Sequence, residues 1–297
     1  MTRGNAVAAA ERNGAAPTTR QAVRLGTLVG LWVASTCLAA MWITFDVRAG
    51  QVGVDAHAYW LAGRSAHPYG PAAGEVDAFL YSPLFAQAMR PLSLLPWHVF
   101  LVVWMLAESA AFSWVVRPLP WVWRVPVGLL AVCELLMGNI YGFLAVAVVL
   151  GSRHSVAWVF PLLTKITVAV PGVVWFLLRG EWAQVARAAA LTLTLVSVSA
   201  AADPQLWREW FGFLRAHGGQ IGFSTWARLG ACVAVAAWAA RRDRPSALPL
   251  ACLLAVPTWS GQSKDLALLL ATPRLSRRGR VTKASSSGPD SLDQPVG

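Results

Sequence analysis

Charged residues are scarce in this 297-residue chain, and that scarcity sets its class. Asp, Glu, Lys and Arg together make up 13% of the sequence, against about a quarter in an ordinary soluble domain. Hydrophobic residues make up 56%, and the mean hydropathy is +0.51. The composition therefore excludes an ordinary soluble domain and indicates an integral membrane protein.

The chain also lacks the cysteine patterns and short motifs of many enzymes and metalloproteins. It has no Walker loop, zinc cluster, nucleophile elbow or dinucleotide fingerprint. Its four cysteines lie within apolar segments without metal-ligand spacing, and they are Cys37, Cys133, Cys232 and Cys252. The sequence thus predicts no cofactor and no metal site. It is compatible with a bound divalent ion but contains no pattern that indicates one.

Acidic residues are outnumbered by basic ones, 14 to 25, which gives a formal net charge of +11. The basic residues are dispersed between apolar segments and form no continuous stripe, so nucleic acid is excluded as a partner. Membrane topology explains them better, because Lys and Arg mark the cytoplasmic ends of membrane segments.

The apolar runs predict an all-α, polytopic membrane protein with a membrane domain over residues 24–274 and both termini in the cytoplasm. The tails, 1–23 and 275–297, have compositions typical of disorder. External loops are expected at 46–96, with a short interfacial helix over 81–96, and at 203–224. About four full spans are predicted, over 25–45, 97–116, 183–202 and 225–240.

Three further apolar stretches are each too long for one span and too short for two. Each has a polar tip at its middle and basic residues at both ends, so both ends should lie on the cytoplasmic side. They run over 125–151 with the tip GNIYG, over 155–178 with TKIT, and over 246–273 with WSGQSKD. We expect short or re-entrant helix pairs whose tips face one extracytoplasmic cavity, since polar backbone at that depth must be satisfied by protein or water.

The first external loop carries the most motif-like stretch, DAHAYWLAGRSAHPYG at 55–70, followed by FLYSP at 79–83. With GNIYGFLAVAVVL (138–150), LLTKITVAVPGVVWFLLRGEW (162–182) and VPTWSGQSKDLALLL (256–270), all in order, it resembles the polyprenyl-phosphate-mannose-dependent mannosyltransferases of actinobacteria. These form glycosyltransferase family 87 of the GT-C superfamily. The resemblance covers roughly residues 25–275, and the order of the motifs carries most of its weight.

The resemblance implies a GT-C-like bundle and an inverting enzyme of the cell membrane. Such an enzyme moves a mannosyl or other hexosyl group from a polyprenyl-phosphate donor to a lipid or glycan acceptor of the cell envelope, on the extracytoplasmic face. It also implies contact with membrane lipids. Relatives commonly continue through further helices, so a partner membrane subunit is a possible addition to this chain. Relatives also often have a His shortly after the late Trp, where this chain has Gln262, Lys264 and Asp265.

By position in the family, Asp55 is the general base for the acceptor hydroxyl; its alternative role is a helix N-cap. Lys165, a charge inside an apolar stretch, should contact the donor phosphate or pair with Glu134 or Glu108. Weaker phosphate candidates are Arg64, His57 and Arg228. The predicted lining of the cavity is Tyr59, Tyr69, Tyr81, Glu134, Asn139, Trp259, Gln262, Lys264 and Asp265.

Two other classes of protein fit parts of the pattern. A transporter or lipid flippase also uses broken helices and charges within the membrane, but it predicts polar residues along a path through both leaflets, whereas here they cluster on one side. A non-catalytic membrane assembly subunit would share the topology and lack the transfer activity.

Overall fold

A computed structural model describes residues 19–217, 223–256 and 263–276, and every regular element in these ranges is helical. The α-helices are, in chain order, α1 (Thr19–Arg48), α2 (Val54–Arg64), α3 (Pro83–Ser93), α4 (Trp97–Val116), α5 (Trp121–Leu129), α6 (Val132–Met137), α7 (Tyr141–Gly151), α8 (Val159–Thr164), α9 (Ile166–Leu178), α10 (Trp182–Ala202), α11 (Pro204–His217), α12 (Phe223–Arg241) and α13 (Leu248–Leu254). Short 3₁₀ helices cover Ser155–Trp158, Pro245–Ala247 and Ser263–Ala271. The prediction of an all-α membrane protein is confirmed.

Three of these helices, α1, α4 and α10, are long and apolar enough to cross a membrane. They coincide with the predicted spans 25–45, 97–116 and 183–202. The fourth predicted span, 225–240, lies within the 19-residue helix α12, which falls outside this group among the described residues.

The first predicted helix pair is broken at its polar tip. Helices α5 and α6 lead to Gly138, and α7 begins at Tyr141. Gly138 has a left-handed backbone with φ of 69°, and a Cβ there would lie 2.6 Å from the Cβ of Ala56. Glycine is therefore required twice, for the turn and for the close approach of α2.

The second pair is broken at Lys165, whose φ of −118° and ψ of 80° end α8 and precede α9. Helix α8 has 6 residues and α9 has 13. At about 1.5 Å per residue, neither crosses a hydrocarbon core of about 30 Å. The third pair comprises α13 and the 3₁₀ helix Ser263–Ala271. Of its predicted tip, WSGQSKD at 259–265, residues 259–262 lie outside the described residues.

The predicted external loops contain more helix than the sequence indicated. Helix α3 begins at Pro83 and continues through Pro91 to Ser93, within the short helix predicted over 81–96. Residues 204–217, expected as loop, form α11, which buries Leu206, Trp207 and Phe213. Apolar side chains at helical spacing stabilise α11 on the neighbouring helices.

Ion pairs join the loops that the sequence assigns to the same side. His67 contacts Glu209 at 2.8 Å and Arg90 contacts Asp203 at 2.8 Å, and both pairs link the two predicted external loops. The hydrogen bond from Arg90 lowers the pKa of Asp203 below its ordinary value. At the opposite end, Arg179 and Asp243 meet at 2.6 Å between two predicted cytoplasmic turns.

Which end faces outward is a prediction from the distribution of Lys and Arg. In a background without the native cysteines, a cysteine at exposed Glu75 should react with an impermeant thiol reagent in intact cells. A cysteine at exposed Arg242 should react only after the cells are opened. The reverse labelling pattern would overturn the assigned orientation.

The Trp158 side chain packs between the first two helix pairs. It is 2% exposed, and its indole Nε1 donates to the carbonyl of Gly151 at 2.9 Å. A Cβ on Gly151 would lie 2.5 Å from that nitrogen, and a Cβ on Gly172 would lie 2.2 Å from the indole ring. The two glycines therefore form a slot for the indole between α7 and α9.

Gly172→Ala is expected to destabilise the protein by about 1–3 kcal/mol, because the buried indole must move to admit the methyl group. The measurement is thermal unfolding in detergent. Gly230→Ala is the matched control, since nothing lies within 4 Å of a Cβ at that helical position. Equal melting temperatures for the two variants would contradict the claim that the Trp158 indole requires a glycine at position 172.

Candidate active site

Asp55 lies in the first turn of α2, in the first predicted external loop. The N-cap of this helix is Gly53, with φ of 77°, and its N–H donates to the carbonyl of Leu136 at 2.6 Å. The alternative that Asp55 caps α2 is therefore wrong, because the cap position is two residues earlier. Asp55 is partly exposed.

Asn139, at the tip of the first helix pair, contacts this carboxylate. Its Nδ2 donates to Asp55 Oδ2 at 2.8 Å, and its Oδ1 accepts the N–H of Ile140 at 2.7 Å. The second bond fixes which way the amide points. The structure thus joins two predicted site residues that are 84 positions apart in the sequence.

Two residues of α4 hold the backbone on either side of Asn139. The indole Nε1 of Trp104 donates to the carbonyl of Gly138 at 2.8 Å. Glu108 Oε1 accepts the N–H of Gly142 at 3.3 Å. The sequence suggested Glu108 only as a possible partner of Lys165. The spacing of four residues between Trp104 and Glu108, which places both on one helix face, was the available signal.

The three tyrosines that were predicted to line the cavity pack against one another instead. Tyr59 and Tyr81 share a hydrogen bond between hydroxyls at 3.0 Å, and the Tyr69 hydroxyl donates to the carbonyl of Tyr81 at 2.9 Å. All three are buried. Burial raises the pKa of Tyr59 and Tyr81 far above the ordinary value, so both phenols stay protonated and are excluded as bases.

Lys165 stands at the tip of the second helix pair. Its Nζ lies 3.9 Å from the centroid of the Tyr141 ring, at the first residue of α7. Ser82 Oγ, in the first external loop, donates to the nearby carbonyl of Leu163. The second tip therefore meets the same loop as the first tip.

Glu108 connects these groups electrostatically, since it interacts with Asp55, Lys165 and Glu134. Glu134 is 1% exposed and lies in α6, so it belongs to the buried side of the site. Among the described residues, no three His, Cys, Asp or Glu side chains come together as a metal site.

The weaker phosphate candidates make structural contacts. His57 Nδ1 lies 2.6 Å from Asp77 Oδ1, and Arg64 donates to the carbonyl of Ser93 at 2.8 Å while it stacks over Trp60. Arg228 donates to the carbonyl of Val256 at 2.8 Å, at the base of the third tip. Each of these side chains therefore contacts the fold of its own region, and Lys165 stays the stronger candidate.

The third predicted tip is described in part. Trp259 and Gln262 lie outside the described residues. Lys264 and Asp265 lie in the 3₁₀ helix Ser263–Ala271. Their predicted place in the cavity stays a prediction.

Comparison with known proteins shows the family of the chain. The model of glycosyltransferase family 87 matches residues 79–286, which is more than half of the chain and includes Glu108, Asn139 and Lys165. Asp55 precedes the matched range. No curated protein and no solved structure matches the chain. This family match shows that the chain belongs to glycosyltransferase family 87.

Proposed function

We propose that this membrane glycosyltransferase moves a mannosyl or other hexosyl group from a polyprenyl-phosphate sugar to a lipid or glycan of the cell envelope. The reaction takes place on the extracytoplasmic face and inverts the anomeric configuration. The family match supports sugar transfer as the class of reaction. The donor class, the acceptor class and the side of the membrane are proposed here.

The contact between Asp55 and Asn139 carries the proposal. It brings the partly exposed Asp55 to the tip of the first broken helix pair, where the Asn139 amide donates a hydrogen bond to its carboxylate. The first turn of α2 favours negative charge, because the helix dipole is positive at its N-terminus. The start of α2 is therefore a favourable position for a carboxylate.

The proposed step is a single displacement. Asp55 accepts the proton of the acceptor hydroxyl as that oxygen attacks the anomeric carbon and forms the new glycosidic bond. The bond from the anomeric carbon to the phosphate oxygen breaks, and the polyprenyl phosphate leaves with the electron pair. Lys165 stabilises the phosphate charge, so the leaving group needs no acid.

The test is sugar transfer by the purified full chain in lipid vesicles. A radiolabelled polyprenyl-phosphate mannose serves as donor, and a membrane lipid extract serves as acceptor. We expect a labelled product whose formation requires both donor and acceptor. A folded protein that transfers no sugar from this donor would overturn the proposed donor class and favour a non-catalytic assembly subunit.

A further inference from the structure

Glu108 is a buried acid in the middle of a predicted membrane span, and placing an acid there is unfavourable in free energy. It lies in α4 and is 0% exposed. Within the described part of the chain, its Oε2 has no hydrogen-bond partner. An acid in this environment is retained where its polar contacts serve a function, because an apolar side chain would fill the same space at lower cost.

The polar contact that Glu108 makes is with the first turn of α7. The N–H groups of a first helical turn have no partner within the helix, and Glu108 Oε1 satisfies the one on Gly142. The fit is close, since a Cβ on Gly142 would lie 2.8 Å from Cγ of Glu108. A glycine at 142 therefore allows the carboxyl group to reach the backbone.

Trp104 holds the other end of the same short segment, one helical turn earlier on α4. Its indole donates to the carbonyl of Gly138, so α4 fixes residues 138 and 142. Between these anchors lie Asn139, which contacts Asp55, and Tyr141, whose ring lies under the Lys165 ammonium group.

We propose that Glu108 and Trp104 are positioning residues that set the spacing between the base and the phosphate-binding cation. They act through Asn139 and Tyr141, without contact with the substrate. This inference rests on the proposed function, because it assigns Asp55 and Lys165 their roles in sugar transfer. A misplacement of about 1 Å between reacting groups costs up to about 100-fold in rate.

The experiment compares variants of the full chain in the vesicle assay. Glu108→Met keeps the length and removes the acceptor for Gly142, and it should lower kcat at least about tenfold. Glu108→Gln keeps an oxygen that can accept this N–H, so it should stay within about threefold of the wild type. Trp104→Phe, which loses the indole N–H and also shortens the ring, should lower kcat in the same direction as Glu108→Met, and Ser109→Ala in the same turn is the matched control.

A double-mutant cycle separates positioning from general stability. Because Glu108 acts partly through Asn139, Glu108→Met should cost clearly less in an Asn139→Ala background than in the wild type. If the effects of Glu108→Met and Asn139→Ala on kcat simply multiply in the double variant, and the losses of thermal stability match them, the inference is overturned. So would full activity of Glu108→Met in an active wild-type assay, which leaves the proposed function standing, whereas an inactive wild type overturns both.

Discussion

Asp55→Asn should retain the folded protein and donor binding while it lowers sugar transfer by at least about 100-fold, the low end for loss of acid–base catalysis. The amide oxygen of the new side chain can still accept the hydrogen bond from Asn139, so the geometry at the tip survives. What is lost is the ability to take the proton of the acceptor hydroxyl. The measurement is kcat in the vesicle assay, together with donor binding to the purified variant.

Asp77→Asn is the matched control in the same external loop. Asp77 has φ of 63°, a conformation that Asn tolerates well, and its carboxylate pairs with His57 rather than with the tip. We expect a small change in transfer for this variant. Near-normal transfer by Asp55→Asn, with Asp77→Asn equally active, would return Asp55 to a structural role.

The breaks of the two described helix pairs could be predicted from the sequence because their signals are local. A Gly-Asn pair interrupts one apolar stretch and a Lys interrupts the other, and each interruption coincides with a helix end in the structure. The sequence also assigned the first tip and the first loop to the same side, but it did not predict the hydrogen bond between Asn139 and Asp55.

The residues that hold the tip could not be assigned in this way. Trp104 and Glu108 reach Gly138 and Gly142 across 34 positions of sequence, and the contact depends on how α4 packs on α7. An almost uniformly apolar helix gives no periodic pattern that shows which face is buried. The tyrosines failed as cavity residues for a related reason, because aromatic packing within the first loop buries them.

Helix α11 was missed although its signal is present. Leu206, Trp207, Trp210 and Phe213 recur at the spacing of one helix face. The polar and charged residues between them made 203–224 resemble an ordinary loop. The structure shows that this segment packs on the end of α10, where Trp207 donates to Ser199 Oγ at 3.0 Å.

Lys165→Met should raise the donor KM by about 10- to 100-fold, or abolish turnover, while the protein still accumulates in the membrane. Met keeps the length and the contact with the Tyr141 ring, and it removes the charge. A hydrogen bond to a charged group contributes about 1.5–3 kcal/mol, which corresponds to this range. The measurement is the dependence of the initial rate on donor concentration.

Arg228→Met is the matched control, because Arg228 is a second candidate cation whose visible contact is with the carbonyl of Val256. If it holds the fold, its loss should lower thermal stability and leave the donor KM nearly unchanged. An unchanged KM for Lys165→Met would remove Lys165 from the phosphate site. Failure of Lys165→Met to accumulate, with recovery when Glu108→Gln or Glu134→Gln is added, would instead assign Lys165 to an ion pair within the bundle, because neutralising the acid then removes the unpaired buried charge.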